Sequence, residues 1–209
     1  MRPLFALLLI AIVGNGCVTQ SLSSTDDFIP LFDGKTFYGW EGDLDVFRIE
    51  DGAIVGGTLD ERISRNEFLA TTKSYGDFEL HVSFKLLGEN ANAGIQFRTE
   101  RIPNHHEVSG YQADMGQQFW GCLYDESRRN KVIGQADEEV VAKLVRHEDW
   151  NEYVIRCEGP RVRLWLNGTL TVDYMELDDS IPRTGIIALQ IHGGQPSEAW
   201  YRDIRILEL

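Results

Sequence analysis

Cysteine is scarce in this chain. Of 209 residues only three are Cys, and Cys17 sits behind an apolar leader, leaving Cys122 and Cys157 for the folded part. No C-x-x-C pair or Cys/His cluster has zinc spacing, which removes zinc modules and thioredoxin-type redox sites. Two Cys are compatible with one disulfide in an exported protein, and equally with two small buried apolar residues. Basic residues are also short, 20 Lys and Arg against 33 Asp and Glu, for a net charge of −13. A surface of that sign repels phosphate backbones and anionic lipid headgroups, so nucleic acid is not an expected partner. Beyond residue 17 no apolar run approaches the length of a membrane span. The chain contains no G-x-S-x-G, H-E-x-x-H, phosphate loop or G-x-G-x-x-G. The E-x-D-x-x-E alternation of sandwich glucanases is also missing, which argues against two adjacent carboxylates in a retaining arrangement.

Residues 1–17 differ from the rest. Arg2, the ten apolar residues Leu4 to Val13 and the small residues before Cys17 form a secretory signal peptide. The segment resembles a bacterial lipoprotein leader, in which Cys17 becomes the lipidated first residue; Gly14 stands where Leu is usual, and simple secretion is the alternative. The expected location is exported, periplasmic or on the outer surface of a bacterium, with the membrane reached only through the lipid on Cys17. Residues 18–27 are Ser/Thr/Asp-rich and read as a tether. Residues 28–209 read as one domain, with no linker or internal repeat.

Within that domain the period is two. Phe78, Leu80, Val82, Phe84 and Leu86 alternate with Glu79, His81, Ser83 and Lys85. Asp51-Gly52, Glu158-Gly159-Pro160-Arg161 and Asn167-Gly168 are hairpin signals. Further strands are expected at 93–99, 110–115, 186–192 and 200–209. Asp137–His147 fits a capped helix and also a short strand. Ten or so short strands with frequent turns predict an all-β fold, a jelly-roll β-sandwich of two antiparallel sheets.

Three of these strands carry paired polar residues opposite an apolar face: Gln96 and Arg98, Gln112 and Asp114, Gln190 and His192. On one concave sheet they would line a groove suited to a sugar, with amides and guanidinium for hydroxyls. Trp120 and Tyr124 would then stack on the ring. Taken singly, each residue also reads as ordinary polar surface, because antiparallel sheets often keep one face in water. Asn104-His105-His106-Glu107 offers metal-type donors without the further ligands a site needs. Arg128-Arg129 reads as a solvated loop, or as a holder of a sugar acid or a nearby carboxylate.

An ordered series of motifs resembles the 3-keto-disaccharide hydrolase domain family. It begins at Leu31-Phe32-Asp33-Gly34-Lys35 with Gly39-Trp40, and continues through Tyr75-Gly76-Asp77-Phe78-Glu79-Leu80 and Asn92-Ala93-Gly94-Ile95-Gln96-Phe97-Arg98. It ends at Leu189-Gln190-Ile191-His192-Gly193 and Tyr201-Arg202-Asp203-Ile204. The resemblance implies a concanavalin A-like sandwich that acts on oxidised sugars. Many members carry Glu two residues after the Gly of the middle strand and Gln two further on; here Gln112 and Asp114 follow Gly110. A ketone at C3 acidifies the C2 hydrogen, so cleavage of a 3-keto glycoside needs a base, an oxyanion stabiliser and a proton donor to the leaving oxygen. Asp114 and His192 are the expected proton-transfer pair and Arg98 a ketone or hydroxyl clamp. Gln96, Gln112 and Gln190 are expected to bind the sugar, with Trp120 or Tyr124 stacked on it. No cofactor is evident, although a divalent ion is an option for polarising the ketone. The expected partner is therefore a carbohydrate, an oxidised disaccharide or glycoside. The alternatives are a lectin-like module that binds sugar without converting it, and a surface scaffold.

Overall fold

The computed structural model describes residues 27–209. The leader, Cys17 and all of the tether but Asp27 lie outside the described residues. The strands are β1 Ile29–Pro30, β2 Trp40–Glu41, β3 Phe47–Glu50, β4 Ala53–Thr58, β5 Glu67–Thr71, β6 Phe78–Leu87, β7 Asn92–Arg101, β8 Val108–Gly116, β9 Leu123–Glu126 and β10 Lys131–Gly134. After the helix α1 (Glu138–Leu144) come β11 Asn151–Glu158, β12 Arg161–Leu166, β13 Thr169–Met175, β14 Ile186–Ile191 and β15 Ser197–Glu208. They form two antiparallel sheets packed as a concanavalin A-like jelly-roll sandwich. One sheet runs β13-β12-β11-β6-β15-β4-β3, with β1 added to β15; the other runs β10-β9-β8-β7-β14-β5-β2.

Local chemistry accounts for most of these elements. β6 buries its five apolar residues and half-exposes the residues between them, as its alternation requires. Asp51-Gly52 and Asn167-Gly168 both take positive φ at the two turn positions, the geometry that joins twisted antiparallel strands. Asp137 caps α1 by accepting from the Glu139 amide, so the helical reading of 137–147 prevails over a strand. The core lies between the sheets, where Phe84 stacks on Tyr153 at 4.9 Å and Phe97 on Tyr111 at 5.8 Å. Each such side chain removed from water contributes about 1.5–3 kcal/mol. Cys122 and Cys157 are both free and buried.

Two departures from simple alternation shape the rest. First, β7 breaks register between Phe97 and Glu100, with Arg98 at φ 44°. Thr99 is pressed between Gly110 and Gly185, where an added Cβ would come within 2.5 Å of it on either side. The bulge sends the β7–β8 hairpin back over the outer face of its own sheet. Arg101 reaches Glu41 on β2 across that face, donating to its carboxylate at 3.0 Å and its carbonyl at 2.8 Å. Val108 packs on Phe68 and Ala70 of β5 and on Ala188 of β14. Second, Asp125 points inward from β9 and is fully buried. Arg128 and Arg129 do not form a solvated patch; both pair with Asp125, and Arg129 crosses to Glu176 beyond β13 at 2.7 Å. This ion cluster ties the open edges of the two sheets together.

Candidate functional site

Gln96, Gln112, Asp114 and Gln190 share the outer face of the second sheet. They do not line an open groove. Gln96 and Gln190 are wholly buried and Asp114 is 4% exposed, and the folded-back hairpin packs beside them on Phe68, Ala70 and Ala188. Gly94 lies between Asp114 on β8 and Gln190 on β14 in the strand register. A Cβ on Gly94 would stand 2.3 Å from the Gln112 amide carbon, so the absent side chain is the space that amide occupies. The result is a hydrogen-bonded ladder. Gln96 Nε2 donates to Gln112 Oε1 at 2.6 Å, and Gln112 Nε2 donates to Asp114 Oδ2 at 3.0 Å. Asn92 Nδ2 approaches Asp114 Oδ1 at 3.5 Å. Two tyrosines of the opposite sheet hold the backbone beneath. Tyr201 donates to the Gln190 carbonyl at 2.5 Å, and Tyr153 to the Asp114 carbonyl.

Several buried polar atoms on this face have no protein partner: both amide atoms of Gln190, Oε1 of Gln96 and Oε2 of Glu107. Leaving such a group unpaired costs about 1–3 kcal/mol each. Three acceptors and one donor match a ligand rich in hydroxyl groups better than an apolar one. Burial pushes the Asp114 carboxyl up to about 8, reinforced by the charge of Glu126 and opposed by the bond from Gln112. Glu126, on β9 opposite Gly110, is pushed up to about 7 by burial and by the charge of Glu107 on the hairpin. At neutral pH Asp114 is therefore mainly the protonated acid and can give a proton.

His192 is exposed at the end of β14. Its backbone N–H donates to the Asn92 carbonyl at 3.1 Å, so Asn92 touches both His192 and Asp114. Its Nδ1 lies 2.7 Å from the Gly193 carbonyl, an acceptor only. That contact assigns the proton to Nδ1 in the neutral ring and leaves the Nε2 lone pair free to accept one. Asn92 and His192 line a cavity of about 200 Å³ open to solvent. Asn66 joins this end to the hairpin, accepting from the Gly193 amide and donating to Glu107 Oε1 at 3.1 Å.

The remaining expected residues divide. Tyr124 stands opposite Gln112 in the β8–β9 register and is half-buried beside the ladder. Arg98 is elsewhere: the bulge turns it off the Gln96 face, and its guanidinium binds the Gly76 and Gly159 carbonyls and Asp77. It is a buried clamp between strands, away from the amide ladder. Trp120 lies at the end of the sandwich, stacked on Phe84 at 6.2 Å and edge-on to His147 at 5.9 Å. Glu126, Asn92 and Asn66 are site residues that strand-face reasoning missed. Asn92 and Asn66 act from strand ends, and β9 is too short to show a period. His105 and His106 stack on one another, and among the described residues no three His, Cys, Asp or Glu side chains converge as a metal site.

Replacing Gly94 by Ala tests the ladder directly. The added methyl must displace the Gln112 amide and break its bond to Asp114. We expect a folded protein, somewhat destabilised, whose apparent acid pKa in a pH–rate profile shifts from that of the parent. An unchanged profile would show that Gln112 does not set the state of Asp114.

A family model described as the 3-keto-alpha-glucoside-1,2-lyase-like domain matches residues 27–207. No curated protein matches the chain. Among solved structures, a Parabacteroides distasonis protein named "putative glycosyl hydrolase" superposes with a TM-score of 0.66 at 19% identity, covering 88% of this chain and 94% of that one. The carbohydrate binding module CBM66 from Bacillus subtilis superposes at 0.61 with 16% identity, covering 79% and 93%. The Bacillus licheniformis beta-glucanase does so at 0.58 with 10% identity, covering 87% and 97%.

Proposed function

Because the chain belongs to the 3-keto-alpha-glucoside-1,2-lyase-like domain family, we propose that it cleaves glycosides whose C3 hydroxyl has been oxidised to a ketone. The observation that carries this reading is a neutral buried acid, Asp114, linked through Asn92 to a histidine with a free Nε2 at the mouth of a cavity. His192 Nε2 takes the proton from C2, which the adjacent ketone has made acidic. The negative charge passes to the ketone oxygen, where the unpartnered Gln190 Nε2 is the available donor. The electrons then return to form the C1=C2 bond, the C1–O bond breaks, and Asp114 protonates the leaving oxygen. An unsaturated keto sugar and the free aglycone result; addition of water across the new double bond completes a net hydrolysis. Gln96 and Gln112 orient the ring and Tyr124 flanks it. The hairpin between β7 and β8 must swing aside for a ring to reach Gln190. The apolar leader of residues 1–17 supports an exported activity, either carried on a lipid at Cys17 or simply secreted.

The test is incubation in D2O with a 3-keto disaccharide and, separately, with its unoxidised parent, followed by NMR with and without a chelator. We expect cleavage of the ketone alone, with deuterium entering C2. Equal cleavage of both sugars would replace this route by ordinary glycosidase chemistry. Binding without product would make the protein a lectin-like module, and loss of turnover with chelator would add a metal to the reaction.

A further inference from the structure

Three cavities adjoin along one end of the sandwich. The first, lined by Asn92 and His192, shares Asn90 and Gln117 with a second of about 320 Å³. The second shares Gln117, Trp120 and His147 with a third of about 270 Å³ against α1. Together they form a trough that leads from His192 to Trp120. Its character changes along the way. The His192 end is edged by asparagine and glutamine amides and by Arg62. The far end has an apolar floor of Trp120, Val141 and Val145. The exposed Gln117, Gln118, Gln135 and Glu138 edge it, with Ala142 and His147 at its sides, and no lysine or arginine lines it. Trp120 is half-buried, held by Phe84 and His147, so its ring is a preset platform rather than a mobile side chain.

We infer that the trough is an aglycone site and that it takes a neutral aromatic aglycone rather than a second sugar or an anionic group. The rim amides meet a second sugar only along its edge, and hydroxyls set against the floor of Trp120, Val141 and Val145 would be buried unpaired, which is costly. Glu138 repels a carboxylate or phosphate that no cation compensates. A flat aromatic ring loses nothing of this kind and gains stacking on Trp120. The inference rests on the keto-glycoside reading for which ring reacts, but its binding test uses unoxidised ligands and does not depend on turnover.

The experiment compares binding of a nitrophenyl glucoside, methyl glucoside of the same anomer and a glucose disaccharide to the full chain, by calorimetry and ligand-observed NMR. The nitrophenyl glucoside is expected to bind about tenfold more tightly than the other two. Trp120→Ala removes the platform and should abolish that preference. Since Trp120 also packs on Phe84, Ala142→Phe provides a second variant: its side chain starts exposed on α1 and fills the cavity from outside the core. Loss of the preference in Ala142→Phe supports the site even if Trp120→Ala does not fold. Equal binding of the three ligands, no binding of any, or an aryl preference that survives filling of the cavity would overturn the inference. Aryl preference together with no cleavage of a 3-keto sugar would uphold the aglycone site and defeat the proposed reaction.

Discussion

Asp114→Asn should lower kcat/KM for a 3-keto glycoside by about 10²–10⁴-fold and, at the same time, make the protein more stable above neutral pH. Both effects follow from one placement. The amide keeps the shape of the protonated acid and, through its oxygen, the 3.0 Å bond from Gln112, giving up the longer approach of Asn92, and it has no acidic proton to give a leaving oxygen. In the parent, the folded state holds the Asp114 proton up to about pH 8, whereas an unfolded chain releases it near 3.8. Between these values the folded state binds more protons than the unfolded one, so stability falls as pH rises, by up to about 1.4 kcal/mol per pH unit from this group. The fall begins above the unfolded value and levels off beyond the folded one. Asn does not titrate and removes that slope. Thermal unfolding of both proteins at pH 5, 7 and 9 checks the point: the difference in Tm should grow with pH in favour of the variant. A difference independent of pH would mean that the carboxylate is solvated and charged in the folded protein, and the general-acid role would fall with it. A site residue whose removal stabilises the fold fits the usual opposition between active-site chemistry and stability.

Asp125→Asn should have the larger effect on folding, a loss of about 3–5 kcal/mol, with no direct effect on the reacting groups. Asp125 is fully buried and binds Arg128 at 2.8 Å as well as Arg129. Removing its charge leaves two guanidinium groups in a partly buried place with only Glu176 to answer them. Glu176 receives bonds from Arg129 and from the Tyr111 hydroxyl, each at 2.7 Å. Burial alone would raise its carboxyl, but the bonds from Arg129 and Tyr111 outweigh it and bring the group down to about 2. A lowered carboxylate contributes stability that is complete above its unfolded value and is lost as pH falls through the folded one. The parent should therefore lose stability between about pH 4.5 and 2 through this cluster. Urea titration at pH 7 measures the first effect, and a pH series in acid the second. A loss below 1 kcal/mol for Asp125→Asn would show that the cluster is open to water.

Much of the fold is legible in the chain because its signals are local. The alternation of β6, the turns at Asp51-Gly52 and Asn167-Gly168, and the cap at Asp137 each depend on a few neighbouring residues. The short strands are a different matter. β2 has two residues, and β9 and β10 four each, too few for a period to register. Their place comes from pairing across the sheet, β2 with β5, β9 with β8 and β10 with β9. The amide face is also legible: Gln96, Gln112, Asp114 and Gln190 were expected to share one side of one sheet, and they do. Arg98 lies on that side only while alternation continues, and the bulge between Phe97 and Glu100 ends it.

The period-two sandwich and the identity of the polar strand faces are therefore written in the chain, because side chains alternate across any extended strand. Tertiary structure alone decided what those faces are for. Around Thr99, wedged between Gly110 and Gly185, β7 breaks register and the hairpin packs back on its own sheet, and the expected open groove is instead a buried polar face. Burial withdraws water from Asp114, and the loss of hydration makes a common aspartate an acid that still holds its proton near neutral pH. Arg128 and Arg129 depend on tertiary structure in the same way. A dibasic pair looks solvated in the chain, and it becomes a buried tie only because Asp125 and Glu176, far apart in sequence, arrive from opposite sheets.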